Sequence, residues 1–175
     1  MSQPVVICDT GPLLVLGKLN RLELLPQLYS NLKIPQVVYQ EAVEKGEHKG
    51  SPDAVTIRLF LQAYPEYLTQ TPLNTDYRPE ATLGAGEIAV LTLGQQLPYA
   101  LLLLDDEAAR EEARRLGLSA RGSLGILAQA YRHHLLSLAQ VERMIHIIIS
   151  RPDIWIAEKL CHQVLNALHV EYPSQ

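Results

Sequence analysis

Two uninterrupted apolar runs, Val5-Val6-Ile7-Cys8 and Ala100-Leu101-Leu102-Leu103-Leu104, stand out from a chain whose other apolar residues mostly recur every three or four positions. Short continuous apolar runs are characteristic of strands buried on both faces, so they predict central strands of a parallel sheet at about 4–8 and 100–104. Shorter strand-like pieces fall at Leu32-Lys33-Ile34 and Leu118-Ser119-Ala120. Helical patterns alternate with them. Pro12 suits the first position of a helix opening after Asp9-Thr10-Gly11, Pro35 does the same at the next strand-to-helix turn, and a further helix is predicted from about Gly84 to Leu97. The expected fold is α/β, with a central parallel sheet of about four or five strands flanked by helices and an additional C-terminal helix.

The remaining segments read as surroundings of that sheet. A polar insert from Glu44 to Pro52 leads into a helix at about 53–63, and a turn-rich stretch follows from Tyr64 to Thr82. Both are expected to flank or cover the sheet's rim. After Gly122-Ser123 come helices at about 124–136 and 138–149, and Arg151-Pro152 breaks the chain before a last amphipathic helix at about 153–169. On that helix Ile154, Ala157, Cys161, Val164, Leu165 and Leu168 recur at helical spacing, with Trp155 near the same face. Such a stripe must be covered, either by the same monomer or by a partner. At 175 residues and 47% hydrophobic the chain holds one ordinary domain. The expected division is a core domain over residues 1–150 and a helix and tail over 151–175, packed on that domain or in a dimer interface.

Four acidic residues change this picture from architecture to chemistry. Asp9 directly follows the first apolar run and Asp105 the second, which places both at the C-terminal ends of strands, the working edge of doubly wound sheets. Glu41 and Glu87 fall inside apolar helical stripes: Glu41 lies one turn after Val37 and Val38, and Glu87 has Leu83, Val90, Leu91 and Gly94 as neighbours at helical spacing. Helices that follow parallel strands begin at the rim where the strands end, so all four acids are expected to gather there. Each acid alone has an ordinary structural reading. Asp9 suits a helix cap or Asx-turn, Asp105-Asp106 contains a good N-cap, and Glu87 complements the positive end of its helix. Together, clustered carboxylates repel one another, and a hard divalent cation relieves that repulsion while supplying a Lewis acid and an activated water.

Other chemistries are weaker. Cys8 and Cys161 match neither a disulfide scaffold nor a zinc site, and the six histidines form no metal-binding motif. Gly84-Ala85-Gly86-Glu87-Ile88-Ala89 fits the spacing of a dinucleotide fingerprint, but no strand precedes it and Glu87 sets negative charge where pyrophosphate would sit. A net charge of −4 argues against a broad grip on duplex nucleic acid. Arg110, Arg114, Arg115 and Arg121 are interleaved with Glu107, Glu111 and Glu112, which reads equally as an ion-paired helix or a phosphate-guiding patch. No apolar run approaches the ~20 residues of a membrane span, and the N-terminus carries no basic or cleavage signal, so a cytoplasmic protein is expected.

Asp9-Thr10-Gly11-Pro12-Leu13-Leu14, Ile34-Pro35-Gln36-Val37-Val38-Tyr39-Gln40-Glu41, Leu83-Gly84-Ala85-Gly86-Glu87-Ile88-Ala89 and Leu103-Leu104-Asp105-Asp106-Glu107-Ala108-Ala109-Arg110 resemble the four acid-bearing elements of the PIN-domain ribonucleases. Within that family the chain is similar to the VapC-like toxin branch, and Gly122-Ser123-Leu124-Gly125 resembles a helix start of a poorly characterised PIN-like subgroup. The likeness covers about residues 4–149. It implies a Mg²⁺- or Mn²⁺-dependent endoribonuclease, with Asp9, Glu41, Glu87 and Asp105 as metal ligands and Asp106 beside them as an alternative fourth acid. Thr10, Arg110 and Ser123 are the expected substrate contacts. Single-stranded or looped RNA is the expected substrate, a small antitoxin and a second copy of the chain the expected partners. The chain departs from the VapC pattern in carrying Glu87 where aspartate is usual, consecutive Asp105-Asp106, and Gly11 where a hydroxyl residue is common. The competing expectation is a PIN-like RNA-binding or regulatory module with little or no cleavage.

Overall fold

The computed structural model describes residues 4–71 and 76–171. The chain forms two compact units, Met1–Arg121 and Gly122–Gln175.

The first unit is built on a five-stranded parallel sheet: β1 (Val6–Cys8), β2 (Leu32–Pro35), β3 (Leu68–Thr69), β4 (Leu101–Leu103) and β5 (Ser119–Arg121), in the order β3-β2-β1-β4-β5. The two apolar runs are the two central strands. β1 is buried throughout, and its register Val6↔Leu101, Ile7↔Leu102, Cys8↔Leu103 continues one step further, where the Asp9 amide donates to the Leu103 carbonyl at 3.1 Å. Chain order reverses direction about β1, since β2 lies on one side and β4 on the other. The crevice beyond the C-terminal ends of β1 and β4 is therefore the topological switch point.

Helices α1 (Thr10–Lys18) and α2 (Leu24–Leu28) lead from β1 to β2. Pro12 sits in the first turn of α1, where its missing N–H costs no hydrogen bond. After β2 the chain turns directly into α3 (Gln36–Tyr39), widens through a π-helical turn (Gln40–Glu44) and continues as α4 (Lys45–His48). The segment read from sequence as a polar insert from Glu44 is therefore partly helical; its exposed polar side chains hid the helix. Helix α5 (Pro52–Ala63) packs on α1 and on the π-turn. The turn-rich stretch contains the unpredicted edge strand β3, and its residues 72–75 lie outside the described residues. Helix α6 (Ala85–Gln96) packs on β1, β2, β4 and α3, and α7 (Glu107–Arg115) packs on β5.

The second unit consists of α8 (Ser123–Arg132), α9 (Leu138–Ser150) and α10 (Glu158–Glu171). Ser137 caps α9 by accepting from the Gln140 amide, and Gln140 returns a bond to the Ser137 amide. Helix α10 begins later than its hydrophobic pattern suggests. Ile154 is buried from a non-helical segment and Ala157 is exposed outside the helix, so the buried stripe of α10 reduces to Cys161, Leu165 and Leu168, packed against α8 and α9. Trp155 is 93% exposed rather than part of that stripe.

Candidate active site

Asp9 stands between β1 and α1, 5% exposed, with its Oδ1 buried and lacking a hydrogen-bond partner. An unpaired carboxylate oxygen under these conditions is costly, and Asp9 shows it: its pKa is raised to about 7. Burial is the largest cause, and the charges of Glu87 and Glu41 add to it, while the amides of Thr10 and Gly11 oppose it.

Glu41 reaches the same place from the π-turn. Its Oε2 accepts from the Thr10 hydroxyl at 2.8 Å and its Oε1 from the Gly86 amide at 3.2 Å. A π-turn adds a residue to one helical turn and is frequent at functional sites. Convergence of the two acids is measured at Gly86, in the first turn of α6: a β-carbon there would lie 2.5 Å from Glu41 Oε2 and 2.9 Å from Asp9 Oδ1.

Glu87 is half-buried and its Oε2 accepts from the Gly84 amide at 2.6 Å, so it caps its own helix as one sequence reading allowed. Capping does not remove it from the acid cluster. Its pKa is raised, first by burial and then by the charges of Asp106 and Glu41, against the lowering effect of the Gly84 amide. The consecutive aspartates have separate tasks. Asp106 caps α7 by accepting from the Ala109 amide at 2.9 Å, whereas the Asp105 side chain lies against the first turn of α1, where a β-carbon on Gly11 would meet its Oδ2 at 3.5 Å. Fully buried Cys8 lies beneath the rim; its thiol pKa is raised by burial and then by the charges of Asp9 and Asp105.

Among the described residues, no three histidine, cysteine or acidic side chains form a ready-made metal-binding group. The hydrogen bonds explain the spacing: both oxygens of Glu41, one of Glu87 and one of Asp106 are held by donors of the fold. Asp9 and Glu41 are the pair that meets, and Asp9 Oδ1 is the oxygen left unpaired. This donor set suits a hard cation that takes one or two carboxylates directly and reaches others through its retained waters.

The remaining expected contacts separate. Arg110 is half-buried on α7, one turn beyond Asp106, with its Nε buried and unpartnered. Arg114 pairs with Glu107 at 2.7 Å, Arg115 binds Glu112 through Nε and Nη2 at 3.0 and 2.6 Å, and Arg121 donates to the Tyr29 hydroxyl at 3.4 Å. The arginine-rich stretch is thus mainly an ion-paired helix. Ser123 opens α8 in the second unit and is fully buried, so its hydroxyl is not presented at the surface. Two contacts were not read from sequence. One is the Gly86 amide, for which the second glycine of Gly84-Ala85-Gly86 was the available signal. The other is the anchoring of Tyr77, whose hydroxyl donates at 2.9 Å to buried Glu112.

The sheet carries acids at its switch point, and among the described residues directly before α6, from 76 to 84, there is no strand, so Gly84-Ala85-Gly86 lacks the strand-to-helix setting of a dinucleotide fingerprint. The family model that matches the chain is described as a PIN domain and covers residues 5–169. The chain belongs to the PIN-domain family. A nuclease-type function and a nucleic-acid partner follow at that general level, as does the divalent-metal dependence usual for such nucleases. No significant match is found among curated proteins or solved structures. Among the described residues no helix is long and apolar enough to cross a membrane.

Proposed function

We propose that this chain is a Mg²⁺- or Mn²⁺-dependent endoribonuclease whose site is the rim between β1, the π-turn, α6 and α7. The observation that carries this reading is the approach of Asp9 and Glu41 to one point at the start of α6, with Asp9 Oδ1 buried and unpaired. A bound cation would supply Lewis acidity and an activated water at the phosphodiester. Asp9 and Glu41 would hold it directly, and Glu87 and Asp105 through its waters, with Asp106 adding negative charge from the cap of α7. Thr10 and the Gly86 amide fix the two oxygens of Glu41. The unpartnered Nε of Arg110 is the proposed phosphate contact from α7.

Single-stranded or looped RNA is the proposed substrate, supported by the net charge of −4 and by the ion pairing of Arg114 and Arg115, which argue against a broad electrostatic grip on a duplex. A cytoplasmic location, a small antitoxin and a homodimer complete the proposal, the exposed Trp155, Leu160 and Val170 being apolar groups available to a partner. Light scattering of the purified chain tests the homodimer. The decisive experiment is sequencing of RNA after incubation with purified protein and Mn²⁺, beside Asp9→Asn. Defined cleavage ends that vanish with chelator and with Asp9→Asn are expected. No wild-type cleavage with any RNA, or equal cleavage by the variant, overturns the reading.

A further inference from the structure

We propose that Gly86 is a positioning residue: its missing side chain leaves the seat in which Asp9 and Glu41 meet, and its amide aims Glu41 into that seat. The inference rests on the reading of this rim as a cation-dependent nuclease site, and it assigns a task to the glycine pattern that fails as a dinucleotide fingerprint.

The two glycines of Gly84-Ala85-Gly86 have different surroundings. A β-carbon on Gly84 would make only ordinary contact, 3.5 Å from Glu87 Oε2. One on Gly86 would fall 2.5 Å from Glu41 Oε2 and 2.9 Å from Asp9 Oδ1, closer than real β-carbons come to any atom. Neither carboxylate is free to retreat. Glu41 is held at both oxygens, by Thr10 and by Gly86 itself, and the Asp9 carboxylate is held by the amides of Thr10 and Gly11 and by burial. Gly86 is itself buried in the first turn of α6, a helical position where alanine is ordinarily the better residue. Glycine at this place therefore works against the helix and in favour of the space beside it. That space is bordered by two carboxylate oxygens and by the N-terminal turn of α6, whose Gly86 N–H is already spent on Glu41. The space admits the two carboxylate oxygens themselves, and carboxylates gathered in this way favour a cation beside them over a second anion.

Melting of metal-free protein and its shift on adding Mn²⁺ test this in the wild type, Gly84→Ala, Gly86→Ala, Glu41→Ala and the double variant Glu41→Ala/Gly86→Ala. Gly84→Ala is expected to keep the wild-type Mn²⁺-induced rise in Tm, and Gly86→Ala to lose it. Metal-free Gly86→Ala is expected to melt below wild type, and the same change to lower Tm less in the Glu41→Ala background, because removing the Glu41 carboxylate relieves the closer of the two contacts and leaves only Asp9 Oδ1 at 2.9 Å. A purely structural glycine would not show that rescue. A full Mn²⁺ shift in Gly86→Ala, or a double variant no better than the sum of the single losses, overturns the proposal. If Gly86→Ala fails to fold, folding of the double variant supports the proposal and its failure to fold refutes it. Absence of any Mn²⁺ shift in wild type would sink the nuclease reading instead, while the metal-free comparison of the double variant still decides the steric role of Gly86.

Discussion

Replacing Asp9 by asparagine is expected to abolish cleavage and to stabilise the metal-free fold, by an amount that depends on pH. Burial and the neighbouring glutamates move the Asp9 carboxyl from its ordinary 3.8 to about 7, which weighs about 4 kcal/mol against the ionised form in the folded state. The direction follows from the raised value. Below the unfolded pKa the group is protonated in both states and the fold bears no penalty; as pH rises from 3.8 towards about 7 the unfolded chain ionises first and the fold loses stability; above about 7 the whole penalty is present. Asparagine keeps the size without the charge. Metal-free Asp9→Asn should therefore lose less stability than wild type between pH 4 and pH 8, with a difference of up to about 4 kcal/mol, or roughly 8–16 °C in Tm at this chain length. Urea or thermal melts in chelator at both pH values read the effect, with RNA cleavage measured on the same preparations. A wild-type minus variant difference that is the same at both pH values would refute the reasoning.

Two further outcomes concern the frame of the site. Glu112→Gln should destabilise the protein by about 1–2 kcal/mol at neutral pH, because Glu112 is 3% exposed and holds Arg115 and Tyr77, with Arg115 the main cause of its pKa falling to about 2. That contribution is present above the ordinary 4.5 and disappears as pH falls through about 2, so denaturant melts of the two proteins should converge in acid. Gly46→Ala should cost about 1–3 kcal/mol despite alanine's helix preference, since its β-carbon would stand 2.8 Å from that of Ala54 and neither atom can swing away; a urea midpoint equal to or above wild type would show that α4 and α5 part without cost.

The central strands were legible because burial on both faces leaves no room for polar residues, as in Val5–Cys8 and Ala100–Leu104. Pro12 and Pro35 marked their turns for a similarly local reason. β3 was not legible, since two residues, Leu68 and Thr69, show no periodicity and become a strand only through pairing with Ile34 and Pro35. The start of α10 was misplaced because one buried isoleucine in an extended segment mimics helical spacing. At the site, the inward face of Glu41 and the strand-end places of Asp9 and Asp105 follow from simple rules of position. The division between Asp105 and Asp106, and the closeness of Gly86 to two carboxylates, depend on distances between segments far apart in the chain. No local pattern contains them.

The pairing of β1 with β4 also bears on when this site comes into being during synthesis. Asp9 is synthesised well before the residues that complete its surroundings: its amide is secured by Leu103, and the second strand-end aspartate is Asp105. Until β4 has emerged, the first strand has only β2 beside it and half of the rim does not exist. Closing so long a loop is slow compared with local helix formation. A chain released before β4 is made would expose a hydrophobic strand edge and carry no assembled acid cluster, so the proposed activity can arise only once both central strands have been synthesised.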